Sequence, residues 1–265
     1  MHPTDPTSTA PDASARDQRV EKLQLADWRR RISELYAEVR ALAATDPAAA
    51  WNHWRLIRER LYREHPSSPV PPDRRAAFVA GHFAYDPNLR FELPVRPTEM
   101  SETADRAGEG RAVSGSSSGP GLGVGPDPDL AARLGAGLGA GLGAGLALPI
   151  SVGQPISFDR VGWLEIPFAS GVRRLALFWL PEYAGGFFLP FRDATNGAAT
   201  YGGGRYLIDS AKGADLGGDP ARGTVIVDFN FAYQPSCAFD PRWSCPLSPP
   251  ENRLSIEVRA GELLR

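Results

Sequence analysis

Cysteine, lysine and net charge are all scarce in this chain, and each shortage excludes a class of protein. Two cysteines in 265 residues are too few for a disulfide framework or a self-contained zinc finger. Lys22 and Lys212 are the only lysines, and the formal net charge is -2. A general nucleic-acid-binding protein carries a strongly basic surface, so we expect no nucleic-acid partner.

Histidine is equally scarce, and its placement restricts the chemistry of the C-terminal half. The four histidines all lie in the first third of the chain: His2, His53, His65 and His82. A Ser-His-Asp triad or a three-histidine zinc site built within the later segments is therefore excluded. Acid–base chemistry there would need carboxylates or a tyrosine. The carboxylate candidates are Asp193, Asp228, Glu251 and Glu262. We expect no metal and no cofactor.

Long apolar runs are missing as well. The first thirty residues hold no apolar core of a signal peptide, which predicts a cytoplasmic protein. Gly135, Gly139 and Gly143 have the small-residue spacing of membrane helix pairs. Glycine nevertheless makes up half of the Leu-Gly-Ala-Gly repeat from Leu134 to Gly145, and a membrane span needs about 20 predominantly apolar residues. We expect no membrane association.

Glycine and proline are locally abundant and divide the chain. Residues 1–15 are rich in Pro, Thr and Ser and predict a disordered tail. Residues 98–147 contain a Ser/Gly run and the Leu-Gly-Ala-Gly repeat, which predict a flexible low-complexity insertion. Between and after them we expect a helical hairpin over 16–66, a connector with the first strand over 67–97, and the main β domain over 148–265.

Helical periodicity dominates the N-terminal part. One apolar stripe comprises Leu25, Trp28, Ile32, Leu35, Val39 and Leu42. Asp46 is the expected N-cap of a second helix, with Pro47 at its first position. That helix should end at His65-Pro66. The short connection predicts an antiparallel hairpin, whose role we expect to be packing.

Short strand-like segments make up the rest of the chain. The run from Arg174 to Leu180 is continuously apolar after its arginine, as in a strand buried on both faces. The others alternate or are bounded by turn residues: 89–95, 146–152, 156–161, 162–168, 187–191, 205–209, 224–233 and 254–258. They predict a fold that is mostly β with N-terminal α, a hairpin followed by an antiparallel β-barrel or sandwich.

Two segments of this β region carry candidate ligand-binding groups. Alternation over residues 224–233 places Asp228 and Asn230 on the polar face of the strand, where they would orient a ligand or simply face water. Arg205 follows three glycines and could hold a carboxylate or phosphate with two hydrogen bonds. Its structural alternative is an internal salt bridge to Asp193 or Asp228, and the glycines themselves suit a bend.

The two cysteines leave three interpretations open. Cys237 and Cys245 are separated by seven residues in a proline-rich segment. We favour buried structural thiols, because a reducing cytosol keeps thiols reduced. The first alternative is a disulfide between them, and the second is a role in metal binding or redox chemistry.

Ordered motifs in the C-terminal half resemble one bacterial and archaeal family. They are Phe191-Arg-Asp-Ala-Thr-Asn-Gly, Thr200-Tyr-Gly-Gly-Gly-Arg-Tyr-Leu, Asp228-Phe-Asn-Phe-Ala-Tyr-Gln-Pro-Ser-Cys, Cys245-Pro-Leu-Ser-Pro-Pro-Glu-Asn and Ala260-Gly-Glu. The family is the domain of unknown function numbered sixteen-eighty-four, and the chain departs from it in its long insertion and in Gln234, where asparagine is usual. The resemblance implies no activity. It implies a shared set of residues: Asp193, Thr200, Tyr201, Arg205, Tyr206, Asp228, Asn230, Tyr233, Cys237, Cys245 and Asn252.

Our leading functional prediction is a module that binds a small polar or anionic ligand. Arg205 would pair with the anionic group, Asp228 and Asn230 would orient polar groups, and three tyrosines would form the walls. The full predicted ligand-binding set is Asp193, Thr200, Tyr201, Arg205, Tyr206, Asp228, Asn230 and Tyr233. Cys237, Cys245 and Asn252 are predicted to be structural.

Two alternatives remain. An enzyme would use Asp228 as base, Asp193 or Glu251 as acid, and Arg205 to stabilise negative charge. A structural or protein-interaction domain would use the same motifs for turns and internal salt bridges. Both binding and catalysis require Arg205, Asp228 and Asn230 to converge on one hollow.

Overall fold

The structure is a computed structural model that describes residues 13–98 and 146–264, except Val152, Gln154 and residues 182–184. The predicted tail over 1–15 and the predicted insertion over 98–147 therefore lie mostly outside the described residues. Apart from Thr98, the described residues at the edges of these two segments belong to regular elements. Residues 13–15 begin the first helix, and Leu146 and Ala147 begin a strand.

The N-terminal helices form the predicted hairpin. Their bounds are α1 Ala13–Ala43, α2 Pro47–Glu64 and a short α3 Pro72–Arg75. Asp46 caps α2 as expected, since its side chain accepts a hydrogen bond from the Ala49 N–H at 2.9 Å. The helix ends at the predicted His65. No helix among the described residues is long and apolar enough to cross a membrane.

In the described part of the chain, ten strands form three antiparallel sheets. Their bounds are β1 Gly81–His82, β2 Arg90–Pro94, β3 Leu146–Leu148, β4 Ile156–Phe168, β5 Gly171–Trp179, β6 Phe187–Phe191, β7 Arg205–Asp209, β8 Gly218–Asp219, β9 Thr224–Asp228 and β10 Glu262–Leu263. The sheet orders are β3-β4-β5-β6-β7, β2-β9-β8 and β1-β10. The five-stranded sheet curls into a half-barrel. The predicted class, N-terminal helices followed by mostly antiparallel β structure, is confirmed.

The long β4–β5 hairpin is the centre of the half-barrel. Four successive β5 residues from Leu175 to Phe178 are fully buried, which confirms the prediction of a strand covered on both faces. The two segments predicted as separate strands over 156–168 form the single strand β4, with an irregular register between Arg160 and Gly162. Gly162 is required there because a Cβ atom would lie 2.3 Å from the Arg96 carbonyl oxygen.

Three predicted strands differ from the structure, and the one predicted over 146–152 is limited to Leu146–Leu148. The other two are wrong in extent or in kind. The segment over 224–233 leaves the sheet at Asp228, where the carboxylate accepts the Asn230 N–H at 3.0 Å and begins a 3-10 turn. The predicted alternation of faces ends there. The segment over 254–258 is not a strand; the Val258 N–H is bound instead by the Asp193 carboxylate at 2.8 Å. In both places an aspartate carboxylate accepts a hydrogen bond from a backbone N–H group that would otherwise bond to a neighbouring strand.

The helical hairpin packs on the β half of the molecule. Tyr36 and Trp54 belong to the same buried cluster as Phe178, Phe188 and Phe231. A second buried cluster lies within the β part itself. The interface between hairpin and sheets therefore contains both apolar core and, at one end, the polar groups described next.

Candidate functional site

Arg205, the leading sequence-based candidate, is an internal structural group. It begins β7 directly after Gly204, whose φ of +102° and close approach to the Phe191 carbonyl exclude a side chain. The Arg205 side chain is fully buried. Its Nη2 donates to the Asp193 carboxylate at 3.3 Å and to the Val258 carbonyl at 2.9 Å, while Nη1 donates to the Ala260 carbonyl.

Asp193 and Thr200 belong to the same internal network. The Thr195 hydroxyl lies 2.9 Å from both Asp193 carboxylate oxygens and 2.8 Å from the Thr200 hydroxyl. The Asn196 amide also donates to the Thr200 hydroxyl at 2.9 Å. These bonds, together with Arg205, tie the turn over 193–200 to the C-terminal segment, as in the structural alternative.

Asp228 and Asn230 form a second, separate network. The Asn230 amide accepts the Asp86 N–H at 2.9 Å and donates to the Asp86 carbonyl at 2.8 Å. It also donates to the Asp228 carboxylate at 2.8 Å, which in turn accepts from Arg90 at 3.1 Å. Burial raises the pKa of Asp228, and hydrogen bonds from Asn230 and Arg90 oppose that shift. The pair fixes the chain entering β2 to the end of β9.

The expected convergence of Arg205, Asp228 and Asn230 on one hollow is therefore corrected. Arg205 and Asn230 have no exposed surface, and they bond within different networks. The three carboxylates proposed for catalysis do not converge on one position either. Asp228 pairs with Arg90, Asp193 pairs with Arg205, and Glu251 pairs with Arg160, so each is engaged by its own arginine.

Asn252 links the strands β5 and β6. Its amide nitrogen donates to the Ala176 and Pro190 carbonyls at 2.9 and 2.7 Å, and its oxygen accepts the Ala176 N–H at 2.7 Å. The two strands pair directly only at Phe178↔Phe188 and Trp179↔Phe187. Asn252 thus completes the backbone hydrogen bonds where β5 and β6 separate.

Two other members of the predicted set, Tyr206 and Tyr233, line a cavity between the hairpin and the sheets. The cavity has a volume of about 70 Å³. We call it the helix–sheet cavity. Its lining residues are Trp28, Ile32, Arg58, Tyr62 and Pro69 from the N-terminal part, and Tyr206, Asp209, Lys212, Ala214, Tyr233, Gln234, Pro235, Ser236 and Cys245 from the β part.

Arg58 of α2 dominates one wall of this cavity. Its side chain is only 6% exposed, and its Nε donates to the Glu262 carboxylate at 2.6 Å. Nη2 donates to the Tyr62 hydroxyl, and the guanidinium carbon lies 4.5 Å from the ring centroid of Tyr233. Burial is the largest influence on the pKa of Arg58 and lowers it, but Glu262, Tyr62 and Tyr36 together outweigh burial and the net shift is upward.

Two donors at the cavity remain unused. Among the described residues, nothing accepts a hydrogen bond from Nη1 of Arg58 or from the Tyr233 hydroxyl, although Arg58 is 5% and Tyr233 9% exposed. Burial raises the pKa of Tyr233 well above its usual value. The Tyr233 hydroxyl is therefore neutral and able to donate at physiological pH.

Comparison with known proteins gives a family but no activity. The family model described as a protein of unknown function (DUF1684) matches residues 143–263. We call the matched segment, residues 143–263, the DUF1684 domain. A solved structure that resembles the chain is the solution NMR structure of the uncharacterized protein from gene locus rrnAC0354 of Haloarcula marismortui. It is 26% identical, over 79% of this chain and 89% of that one, with a TM-score of 0.47. The search of curated proteins found no match.

All residues of the set implied by the resemblance lie in the DUF1684 domain, whereas Arg58 lies in the preceding hairpin. The helix–sheet cavity is therefore formed jointly by the domain and the hairpin. Sequence reasoning did not single out Arg58 or Lys212 as ligand groups. A signal for Arg58 was present, since Trp51, Trp54, Arg58 and Leu61 follow spacings of 3, 4 and 3. An arginine on the buried stripe of a helix needs a partner in the interior.

The two cysteines of the DUF1684 domain are adjacent, buried thiols. The Cys237 N–H donates to the Cys245 sulfur at 3.3 Å. Hydrogen bonding from the Cys245 thiol, with further bonds from Tyr201 and Ser151, lowers the pKa of Cys237 to about 6 against the opposing effect of burial. Within the described part of the chain, no group of three His, Cys, Asp or Glu residues is placed to hold a metal ion.

Proposed function

We propose that the DUF1684 domain and the hairpin together bind a small anionic ligand in the helix–sheet cavity. The observation that carries the proposal is the pair of unused donors, Nη1 of Arg58 and the Tyr233 hydroxyl. Neither group gives up an existing hydrogen bond when it donates to a ligand, and a hydrogen bond to a charged acceptor contributes about 1.5–3 kcal/mol. A ligand oxygen that accepts from both groups would gain both bonds.

The charges around the cavity indicate the class of ligand. Arg58 is paired with Glu262, and Lys212 is paired with Asp209 at 2.9 Å. The cavity therefore offers oriented donors with little net positive charge. This arrangement suits a singly charged carboxylate better than a dianion, because the two acidic residues would repel a second negative charge.

The size of the cavity limits the ligand or the part of it that enters. A water molecule needs about 10–15 Å³ of such volume, so about 70 Å³ accommodates roughly five non-hydrogen atoms. Acetate and glycolate are within this limit. We therefore propose a small monocarboxylate, or the carboxylate end of a larger molecule.

Tyr233→Phe tests the proposal with little disturbance to the fold, because no described residue accepts a hydrogen bond from this hydroxyl. Hydrogen bonds to a charged group contribute about 1.5–3 kcal/mol, so the Kd for the carboxylate should rise about tenfold or more. Calorimetric titration of acetate and glycolate into wild type and variant measures this. Unchanged affinity in Tyr233→Phe, or no carboxylate binding by wild type at millimolar concentration, would contradict the proposal.

The two lysines supply a matched pair of variants. Lys212 lines the cavity, whereas Lys22 is exposed on α1. Lys212→Met should weaken carboxylate binding and reduce its dependence on salt. Lys22→Met removes the same charge elsewhere and should leave the Kd unchanged. Equal effects of the two substitutions would indicate general electrostatic attraction rather than a site.

A further inference from the structure

We propose that Cys237 and Cys245 are a peroxide-sensitive site at which an intramolecular disulfide forms. This inference goes beyond ligand binding and does not depend on it. It rests on the placement of the two sulfurs, on the groups that hold them, and on the cavity that one of them lines.

The backbone places the two residues close enough that a disulfide between them is geometrically possible. The Cys237 N–H contacts the Cys245 sulfur at 3.3 Å, which brings the Cα atom of Cys237 within about 5 Å of that sulfur. Disulfides usually have Cα atoms about 4.4–6.8 Å apart. Cys245 is fixed on both sides by Ser151, whose hydroxyl accepts the Cys245 N–H at 3.0 Å and whose N–H donates to the Cys245 carbonyl at 3.0 Å.

The surroundings favour a thiolate on Cys237 and a thiol on Cys245. The neighbouring Cys245 thiol lowers the pKa of Cys237 to about 6 against the opposing effect of burial, and the nearby Tyr201 and Ser151 hydroxyls contribute less. The same pairing raises the pKa of Cys245. A pKa near 6 gives roughly 30 times more thiolate at pH 7 than an ordinary cysteine with a pKa of about 8.5.

A small oxidant can reach the sulfur of Cys245 through the cavity, and Cys237 lies directly beside that sulfur. Cys245 lines the helix–sheet cavity, and hydrogen peroxide, with two non-hydrogen atoms, is smaller than the roughly five atoms that this volume holds. Cys237 and Cys245 are 8% and 4% exposed. Bulky oxidants are therefore disfavoured relative to peroxide.

The reaction balances with peroxide as the only oxidant. The Cys237 thiolate attacks one peroxide oxygen, the O–O bond breaks, and the departing hydroxide takes a proton to become water. The Cys245 thiol then loses its proton and attacks the sulfur of the Cys237 sulfenic acid. The S–O bond breaks and the second hydroxide leaves as water. Two thiols and one peroxide thus give one disulfide and two waters.

Peptide mapping tests the proposal directly. Trypsin cleaves after Arg242, between the two cysteines, and the chain has no other cysteine. After treatment of the reduced folded protein with equimolar peroxide, a non-reducing digest should contain peptide 223–242 linked to peptide 243–253. Intact mass should fall by two hydrogens, with the protein still monomeric on a non-reducing gel. Absence of the linked peptide, or its appearance only in covalent dimers, would overturn the proposal.

Single variants separate the roles of the two thiols. In Cys245→Ser, peroxide should leave a sulfenic acid on Cys237 that dimedone labels. In Cys237→Ser, dimedone labelling should be at least tenfold lower. Labelling only in Cys237→Ser would overturn the assignment of the attacking thiol.

The pH profile distinguishes an activated thiolate from two merely adjacent thiols. The rate of peroxide consumption by the folded protein should rise with a midpoint near pH 6, whereas the urea-unfolded chain should show about 8.5. Tyr201→Phe removes a hydroxyl that lowers the pKa of Cys237 and should move the midpoint upward. A folded-state midpoint equal to that of the unfolded chain would contradict the proposed activation.

Discussion

At the scale of single residues, the same side-chain type has opposite roles in two places. Arg205 has both Nη atoms engaged, by one carboxylate and two carbonyls. Arg58 is also buried, but it lines the helix–sheet cavity. Its Nη1 has no acceptor among the described residues. Position at a cavity, rather than residue type, therefore separates a candidate ligand group from a structural arginine.

Arg205→Met should strongly destabilise the fold. Removing one partner of a buried ion pair typically costs about 3–5 kcal/mol, because Asp193 would stay buried without its cation. Urea unfolding followed by tryptophan fluorescence measures the change. The double variant Arg205→Met with Asp193→Asn should recover part of the loss, since it removes both charges.

Arg222→Met is the matched control for this experiment. Arg222 forms ion pairs with Glu92 and Asp219 at the surface, with its side chain 64% exposed. Exposed pairs contribute little, so unfolding of this variant should match wild type. Equal stability of the Arg205 and Arg222 variants would contradict the structural role of Arg205.

At the scale of elements, the contact between α2 and the sheets is partly aromatic and partly ionisable. His82 of β1 contacts the rings of Trp51 and Trp54 at centroid distances of 6.2 and 5.7 Å. Burial lowers the pKa of His82, although the charge of Glu262 partly opposes the shift. Docking of the hairpin is therefore coupled to the protonation state of this imidazole.

His82 should make the fold less stable in mild acid. In the unfolded chain it takes up a proton near its usual pKa of about 6.5, whereas the folded protein resists protonation until lower pH. The His82 contribution is complete above pH 6.5 and is lost as pH falls from 6.5 toward the lowered value. Free energies of unfolding at pH 7.5 and 5.5 should differ less in His82→Gln than in wild type.

His53 provides the control for this pH effect. It lies on the outer side of α2 beside Glu38, with its side chain 33% exposed. His53→Gln should keep the acid-dependent loss that His82→Gln removes. If His82→Gln loses as much unfolding free energy between pH 7.5 and 5.5 as wild type does, another group causes the acid dependence.

At the scale of the whole molecule, the described residues on either side of the segment over 99–145 lie at one edge of the half-barrel. Arg96 pairs with Trp163, and Leu146 pairs with Phe158, both on the edge of β4 that β5 does not occupy. The two partners are five residues apart along β4, or about 17 Å. The flanks of the segment are therefore close enough for a short connection.

Replacing residues 99–145 with a ten-residue Gly/Ser linker should preserve the fold. Ten residues span up to about 33 Å, and shortening a loop to this length reduces the closure cost by roughly 1 kcal/mol. Thermal unfolding and circular dichroism should show a Tm equal to or slightly above that of the full chain. A clear fall in Tm would mean that the segment contributes contacts that the fold needs.

Features that depend on neighbours along the chain could be predicted from the sequence. The Asp46 cap with Pro47, the apolar strand over 175–178 and the bounds of β6 and β7 were predicted correctly. Each is specified by capping chemistry or by periodicity within one segment. The antiparallel β fold class was predicted from many short strand-like segments of this kind, separated by turn residues.

The partners of buried polar groups were decided only by the tertiary structure. Asp228 ends β9 by capping a turn, and Asp193 binds residue 258 of a segment expected to be a strand. Arg58 meets Glu262 across 204 residues. Periodicity tells which face of an element is buried, but a hydrogen bond between distant segments depends on how the elements pack. The sequence pointed to the polar face of β9 as the candidate site. Packing of the hairpin on the sheets instead created the helix–sheet cavity, which no single segment specifies.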